Sequence, residues 1–98
     1  MVDRATPGDV HVPIRLSDTE IAVLELLAAG HSNRRICQAL YLAQPTVDYH
    51  LARLRRKLHA GSRVAIVSRA YALGYLSPAE WPPRARRSLA AFPAELSA

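Results

Sequence analysis

The chain has 98 residues, room for one small domain, and half of them are apolar, which excludes a disordered composition. Net charge is +5, and all but one of the thirteen cations are arginine, whose planar fork grips phosphates through paired hydrogen bonds, so an anionic partner is favoured. The single cysteine, Cys37, excludes an intramolecular disulfide and fits a reducing compartment, no run approaches the ~20 apolar residues of a membrane span, and the N-terminus lacks a secretory pattern.

Residues 1–15 hold Pro7, Gly8 and Pro13 without periodicity and read as a flexible arm. The compact part is expected over residues 16–77, with all-α architecture. A first helix starts at Ser17, because Ser17 and Glu20 have the spacing of a capping box. Val23, Leu24, Leu27 and Ala28 give it an apolar stripe, and Gly30 ends it. A second helix starts at Ser32, an N-cap residue, and runs through Leu40 with Ile36, Cys37 and Leu40 on one face. Cys37 reads as a small buried hydrophobe. Asn33, Arg34 and Arg35 lie at the N-terminus of this helix. Cations there oppose the helix dipole unless a phosphate is bound.

Tyr41-Leu42-Ala43 is a short connection. A third helix is expected over about 44–58, with Pro45 in its first turn, where the missing N–H costs nothing. Val47, Leu51, Leu54 and Leu58 recur at helical spacing and must face the core. Asp48, Tyr49, Ala52, Arg53 and Arg56 then point away from it. A fourth helix, capped by Ser62 and ended by Gly74, spans about 63–73. It is apolar over more than one face, so it reads as a partner surface. Residues 78–98 read as a Pro-, Ala- and Arg-rich tail. Within it, Arg84–Phe92 is either a short amphipathic helix or solvated chain, and Trp81 is expected to pack back onto the domain or a partner.

Two short helices joined by a three-residue turn, the second with a basic outward face, form a helix-turn-helix pattern. A B-DNA major groove admits one α-helix, and the preceding helix braces it across the backbone. Between His31 and Ala79 there are eight cations and one acid, Asp48, a local net charge of +7. A merely solvated surface mixes signs, whereas phosphate neutralisation requires one. No Gly-rich phosphate loop, no His/Cys/Asp cluster and no nucleophile with a base at motif spacing is present, so no enzyme, cofactor or metal site is expected.

Leu16-Ser17-Asp18-Thr19-Glu20, Val23-Leu24, Gly30, Ser32-Asn33, Ile36, Leu40, Thr46-Val47, His50, Lys57-Leu58, Arg63 and Ala70 together resemble the LuxR/GerE-type helix-turn-helix domain, over roughly residues 16–76. The resemblance implies a four-helix domain in the bacterial cytoplasm, associated with the nucleoid. Its implied function is sequence-specific, DNA-binding transcriptional regulation, with the third helix in the major groove of double-stranded DNA. It also implies a homodimer through the fourth helix. The DNA-facing candidates are Ser32, Asn33, Arg34, Gln44, Thr46, Asp48, Tyr49, Ala52, Arg53, Arg56, Lys57 and Arg63, with Arg35 and Arg55 as further phosphate contacts. The dimer candidates are Val64, Val67, Ala70 and Tyr71. His50 matches a family histidine and, from its angle on the helix, reads as packed rather than base-reading. With no receiver or ligand-binding segment in view, the chain reads as a stand-alone regulator or a piece of a longer one.

The departures are informative. Asp48 stands where the family usually has Lys. Tyr49 and Ala52 occupy the other base-facing positions, and Ala43 stands where the family has a capping Ser. An aspartate can accept a hydrogen bond from cytosine N4, and an acid near a helix N-terminus also suits the dipole, yet near phosphates it repels. Two readings follow. In one the domain reads DNA with altered preference, Asp48 selecting or excluding bases. In the other the fold is kept as a module that pairs with another regulator and modulates it without reading DNA.

Overall fold

The computed structural model describes residues 14–88. Four helices follow one another: α1 (Asp18–Ala28), α2 (Asn33–Leu40), α3 (Gln44–Leu58) and α4 (Arg63–Leu73). Three of the four starts are fixed by a serine hydroxyl. Ser17 accepts from the Glu20 amide while the Glu20 side chain accepts from the Ser17 amide, Ser32 accepts from Arg35, and Ser62 accepts from Ala65. Each bond satisfies an amide that has no partner within its helix. The fourth start, at Ala43, has no side-chain cap, and Pro45 in the first turn of α3 removes one amide that would need one.

α3 is the hub and packs against all three other helices. Its stripe of Val47, Leu51, Leu54 and Leu58 is buried, as the spacing requires, against Val23, Leu24 and Leu27 of α1, Ile36 of α2 and Ile66 of α4. Tyr41 and Leu42-Ala43 make the turn between α2 and α3. Tyr41 closes α2 in the left-handed region at φ 57°, while its ring is 93% exposed.

Three expectations are corrected by the packing. Ala70 is 0% exposed and sits in the core, so it offers no surface to a second copy. It faces inward because it lies one turn from Ile66 on the side of α4 that packs against the core. Trp81 does not pack back onto the domain: it is 74% exposed, so of the two expected packing surfaces only that of a partner is left. The chain after Ser77 is not a loose tail as far as Ser88. Arg86 N–H donates to Tyr75 C=O at 2.9 Å, Leu16 N–H donates to Arg87 C=O at 2.8 Å, and Ala85 N–H donates to the Glu25 carboxylate at 2.7 Å. These bonds, with the Arg84–Glu25 and Arg87–Asp18 ion pairs, run an extended strap alongside Leu76 and the start of α1, and residues 84–88 are not helical. The N-terminal side is tied at the same end. Ile14 N–H donates to Tyr75 Oη at 3.0 Å, and the hydroxyl donates to Ile14 C=O. The expected arm before Ile14, and the part of the expected helix beyond Ser88, lie outside the described residues.

Candidate nucleic-acid interface

The outward side of α3 and the N-termini of α2 and α4 form one surface. On α3, Gln44, Pro45, Asp48, Tyr49, Arg55 and Arg56 are exposed, and Thr46, Ala52, Arg53 and Lys57 are half-buried. At about 100° per residue, Tyr49 and Arg56 point most directly away from the core stripe. Asp48 and Arg55 lie on one flank of them, and Arg53 and Lys57 lie on the other.

The flank toward α1 is already occupied. Glu20 is 1% exposed, and its carboxylate takes Lys57 Nζ at 2.6 Å and Arg53 Nε at 2.8 Å. Lys57 Nζ also donates to Arg15 C=O at 2.8 Å. Burial pushes the Glu20 pKa up, but hydrogen bonds from Lys57, the Ser17 amide and Arg53 outweigh it and hold the group at about 2. Arg53 reaches onward to Tyr49, its guanidinium 5.8 Å from the ring centroid and Nη1 donating to Tyr49 Oη at 3.4 Å. Its pKa is raised, first by the Glu20 hydrogen bond and then by the contact with Tyr49. Tyr49 in turn meets His50 edge-on at 5.2 Å between ring centroids, and His50 Nδ1 is buried without a hydrogen-bond partner. Lys57 and Arg53, both expected at the DNA, are therefore held by a buried acid.

The flank toward α2 and α4 opens as a cleft of about 380 Å³, rimmed by Asn33, Asp48, Ala52, Arg55 and Arg63 over a floor of Leu51 and Ile66. Arg63 is fixed here, with Nη2 donating to His31 C=O at 2.6 Å and Nη1 donating to Asn33 Oδ1. This clasp brings the starts of α2 and α4 together. Neither helix has an acid in its first turn, so the partial positive charge of both ends is left uncompensated by side chains. Arg34, Arg35, Arg55 and Arg56 are exposed and make no ion pair among the described residues. Ser32, whose hydroxyl is engaged as the α2 cap, lies beside them.

Of the expected dimer positions, Val64 is 75% exposed, and Val67 and Tyr71 are half-buried. Val64, Val67 and Ser68 border a shallow groove of about 320 Å³ with Leu27 and Arg63. Arg69, which the sequence placed only in the general basic count, donates through Nε to Leu58 C=O and so satisfies the end of α3. Its signal was present in principle, since a cation suits a helix C-terminus, but its target lies on another helix. Among the described residues no cluster of three or more His, Cys, Asp or Glu could hold a metal ion, and no helix is long and apolar enough to cross a membrane.

The chain is 44% identical over 50 residues to a nitrate/nitrite response regulator protein homolog of Haemophilus influenzae, covering 51% of this chain and 24% of that protein. It is 42% identical over 52 residues to the virulence factors putative positive transcription regulator BvgA of Bordetella pertussis, covering 53% of this chain and 25% of that protein. It is 36% identical over 63 residues to the transcriptional activator protein PhzR of Pseudomonas fluorescens, covering 64% of this chain and 26% of that protein. The similarity thus spans about a quarter of each relative's length. Residues 15–70, more than half of the chain, match the GerE family of bacterial regulatory proteins, and on that match the chain belongs to the luxR family.

Proposed function

We propose that this domain binds duplex DNA as a bacterial transcriptional regulator in the cytoplasm, with α3 in the major groove and two copies paired through α4. The observation that carries the reading is a set of exposed arginines without ion pairs among the described residues, Arg55 and Arg56 on α3 and Arg34 and Arg35 in the first turn of α2. Buried ion pairing has removed Lys57 from this set and tied up Arg53 Nε. Apart from Asp48, what remains has one sign and lies on and beside a helix of groove-filling width. Ser32, Asn33, Gln44 and Thr46 flank it at helix starts, where backbone amides favour phosphate oxygens. Asp48, Tyr49 and Ala52 are the side chains left to meet base edges. Paired through Val64, Val67 and Tyr71, two copies would place their α3 helices in successive major grooves, about ten base pairs apart. Catalysis has no part in this reading.

The test is retention of a randomised duplex pool by the purified protein at several salt concentrations, followed by sequencing. Four neutralised phosphates per chain give a log–log salt slope of roughly −3 to −4 per bound chain, each phosphate contributing about −0.9. An enriched inverted repeat is expected. No retention at low salt would overturn the reading. It would favour a second one, a module that modulates another regulator, for which the exposed Val64 and the groove beside it are the supporting observation.

A further inference from the structure

Asp48 is the one acid on the face just described, and its local environment does not account for it. It is the fifth residue of α3, past the first turn, so the helix dipole does little for it. It is exposed and makes no ion pair among the described residues, although Arg55 and Arg63 rim the same cleft. Ala52, one turn further along the same side, has no atoms beyond Cβ and leaves room over the cleft. An acid in this place weakens every phosphate contact around it.

From these observations we infer that Asp48 is a specificity-determining residue that selects cytosine at one position of each half-site. The inference rests on the DNA-binding reading. A carboxylate only accepts hydrogen bonds in the groove, and cytosine presents an N4 amine there with a C5–H beside it. Adenine flanks its N6 amine with the N7 acceptor, and guanine and thymine present acceptors, so each of these repels a carboxylate more than cytosine does. The residue therefore acts as much by rejecting the other bases as by holding cytosine, which is how an acid on a phosphate-binding face contributes to discrimination.

The experiment repeats the pool selection with the wild-type chain, Asp48→Ala and Asp48→Asn, with circular dichroism and thermal melts confirming that all three are folded. The wild type is expected to enrich cytosine at one position per half-site. Asp48→Ala should lower that preference about tenfold while the other positions keep theirs. Asp48→Asn should move the preference at that position toward adenine, whose N6 and N7 suit an amide. Identical motifs from all three chains overturn the inference while leaving DNA binding intact. So does a Asp48→Ala chain that binds every duplex more tightly with no change at any position, since Asp48 then acts as a charge alone. No retained DNA from the wild type overturns the DNA-binding reading itself, and this inference with it.

Discussion

Lys57 Nζ lies 2.6 Å from Glu20 Oε1, so the single lysine of the chain is turned toward the capping acid of α1. Glu20 thereby does two jobs: it closes the α1 N-terminus through the Ser17 amide and anchors α3 to α1. A buried carboxylate with three partners is destabilising to lose, because the Ser17 amide and two half-buried cations lose the acceptor they share.

Acid should expose this dependence. The folded-state pKa of Glu20 is depressed from 4.5 to about 2. The unfolded chain therefore takes up the proton first as pH falls, so the stabilisation is fully present above about pH 4.5 and is lost as pH drops toward 2. Glu20 is expected to contribute up to about 3 kcal/mol of that loss, less to the extent that water screens the part-exposed Arg53 and Lys57. Urea unfolding across this range should show it, and Glu20→Gln should flatten the curve while lowering stability near neutral pH by roughly 3 kcal/mol. An unchanged pH profile in Glu20→Gln would remove the carboxylate from this role.

Two neighbouring cations should behave in opposite ways. Lys57→Met is expected to lower stability and leave the salt slope of DNA binding unchanged, because Lys57 is committed to Glu20. Arg56→Gln is expected to leave stability within about 0.5 kcal/mol and to make the slope shallower by about 0.9 per chain. Salt titrations of both variants decide it. A shallower slope in Lys57→Met would mean that the ion pair opens on DNA.

Tyr41 holds a left-handed backbone that a side chain disfavours. Its ring is exposed, so little packing is lost by removing it. Tyr41→Gly should stabilise the domain by roughly 0.5–1 kcal/mol, read as a higher denaturant midpoint with the same m-value.

Tyr75 ties down Ile14 by bonding both its amide and its carbonyl. Its own pKa is raised by burial. Tyr75→Phe keeps the ring and deletes only the hydroxyl, and should cost about 1–2 kcal/mol. Amide exchange at Ile14 should accelerate by more than the global change requires, which distinguishes local release from general loosening.

Val64 tests the pairing. Val64→Asp should leave the isolated chain's stability within about 0.5 kcal/mol, since the residue is exposed. It should weaken binding to a duplex carrying two half-sites while sparing a duplex carrying one. Equal loss on both would place Val64 away from the contact between copies.

The caps at Ser17, Ser32 and Ser62, the helix ends at Gly30 and Gly74, and the buried stripe of α3 were legible in the amino-acid order. Each depends on bonds or spacings of three or four residues, and such local rules hold wherever the segment lies in the fold. Ala70 was misplaced because α4 is apolar on several sides, and periodicity alone does not say which side a neighbour covers. Trp81 stays off the domain because the strap that returns to Leu16 and Glu25 is held elsewhere, by backbone bonds and by the Arg84–Glu25 and Arg87–Asp18 ion pairs, whose partners lie far apart in the sequence.

The basic character of the α3 face was also fixed by composition, but which of its cations remain available to a partner was not. Arg53 and Lys57 look like Arg55 and Arg56 in the linear order, and only the approach of α1 separates them. Their acid lies 33 and 37 positions away, beyond any local rule. Desolvation makes the choice: a buried carboxylate must recruit cations from whatever surface faces it, and the packing of α1 against α3 decides which those are. The sequence by itself determined the helices, the core stripe and the sign of the surface. Tertiary structure alone decided which charges hold the fold and which are left to act outside it.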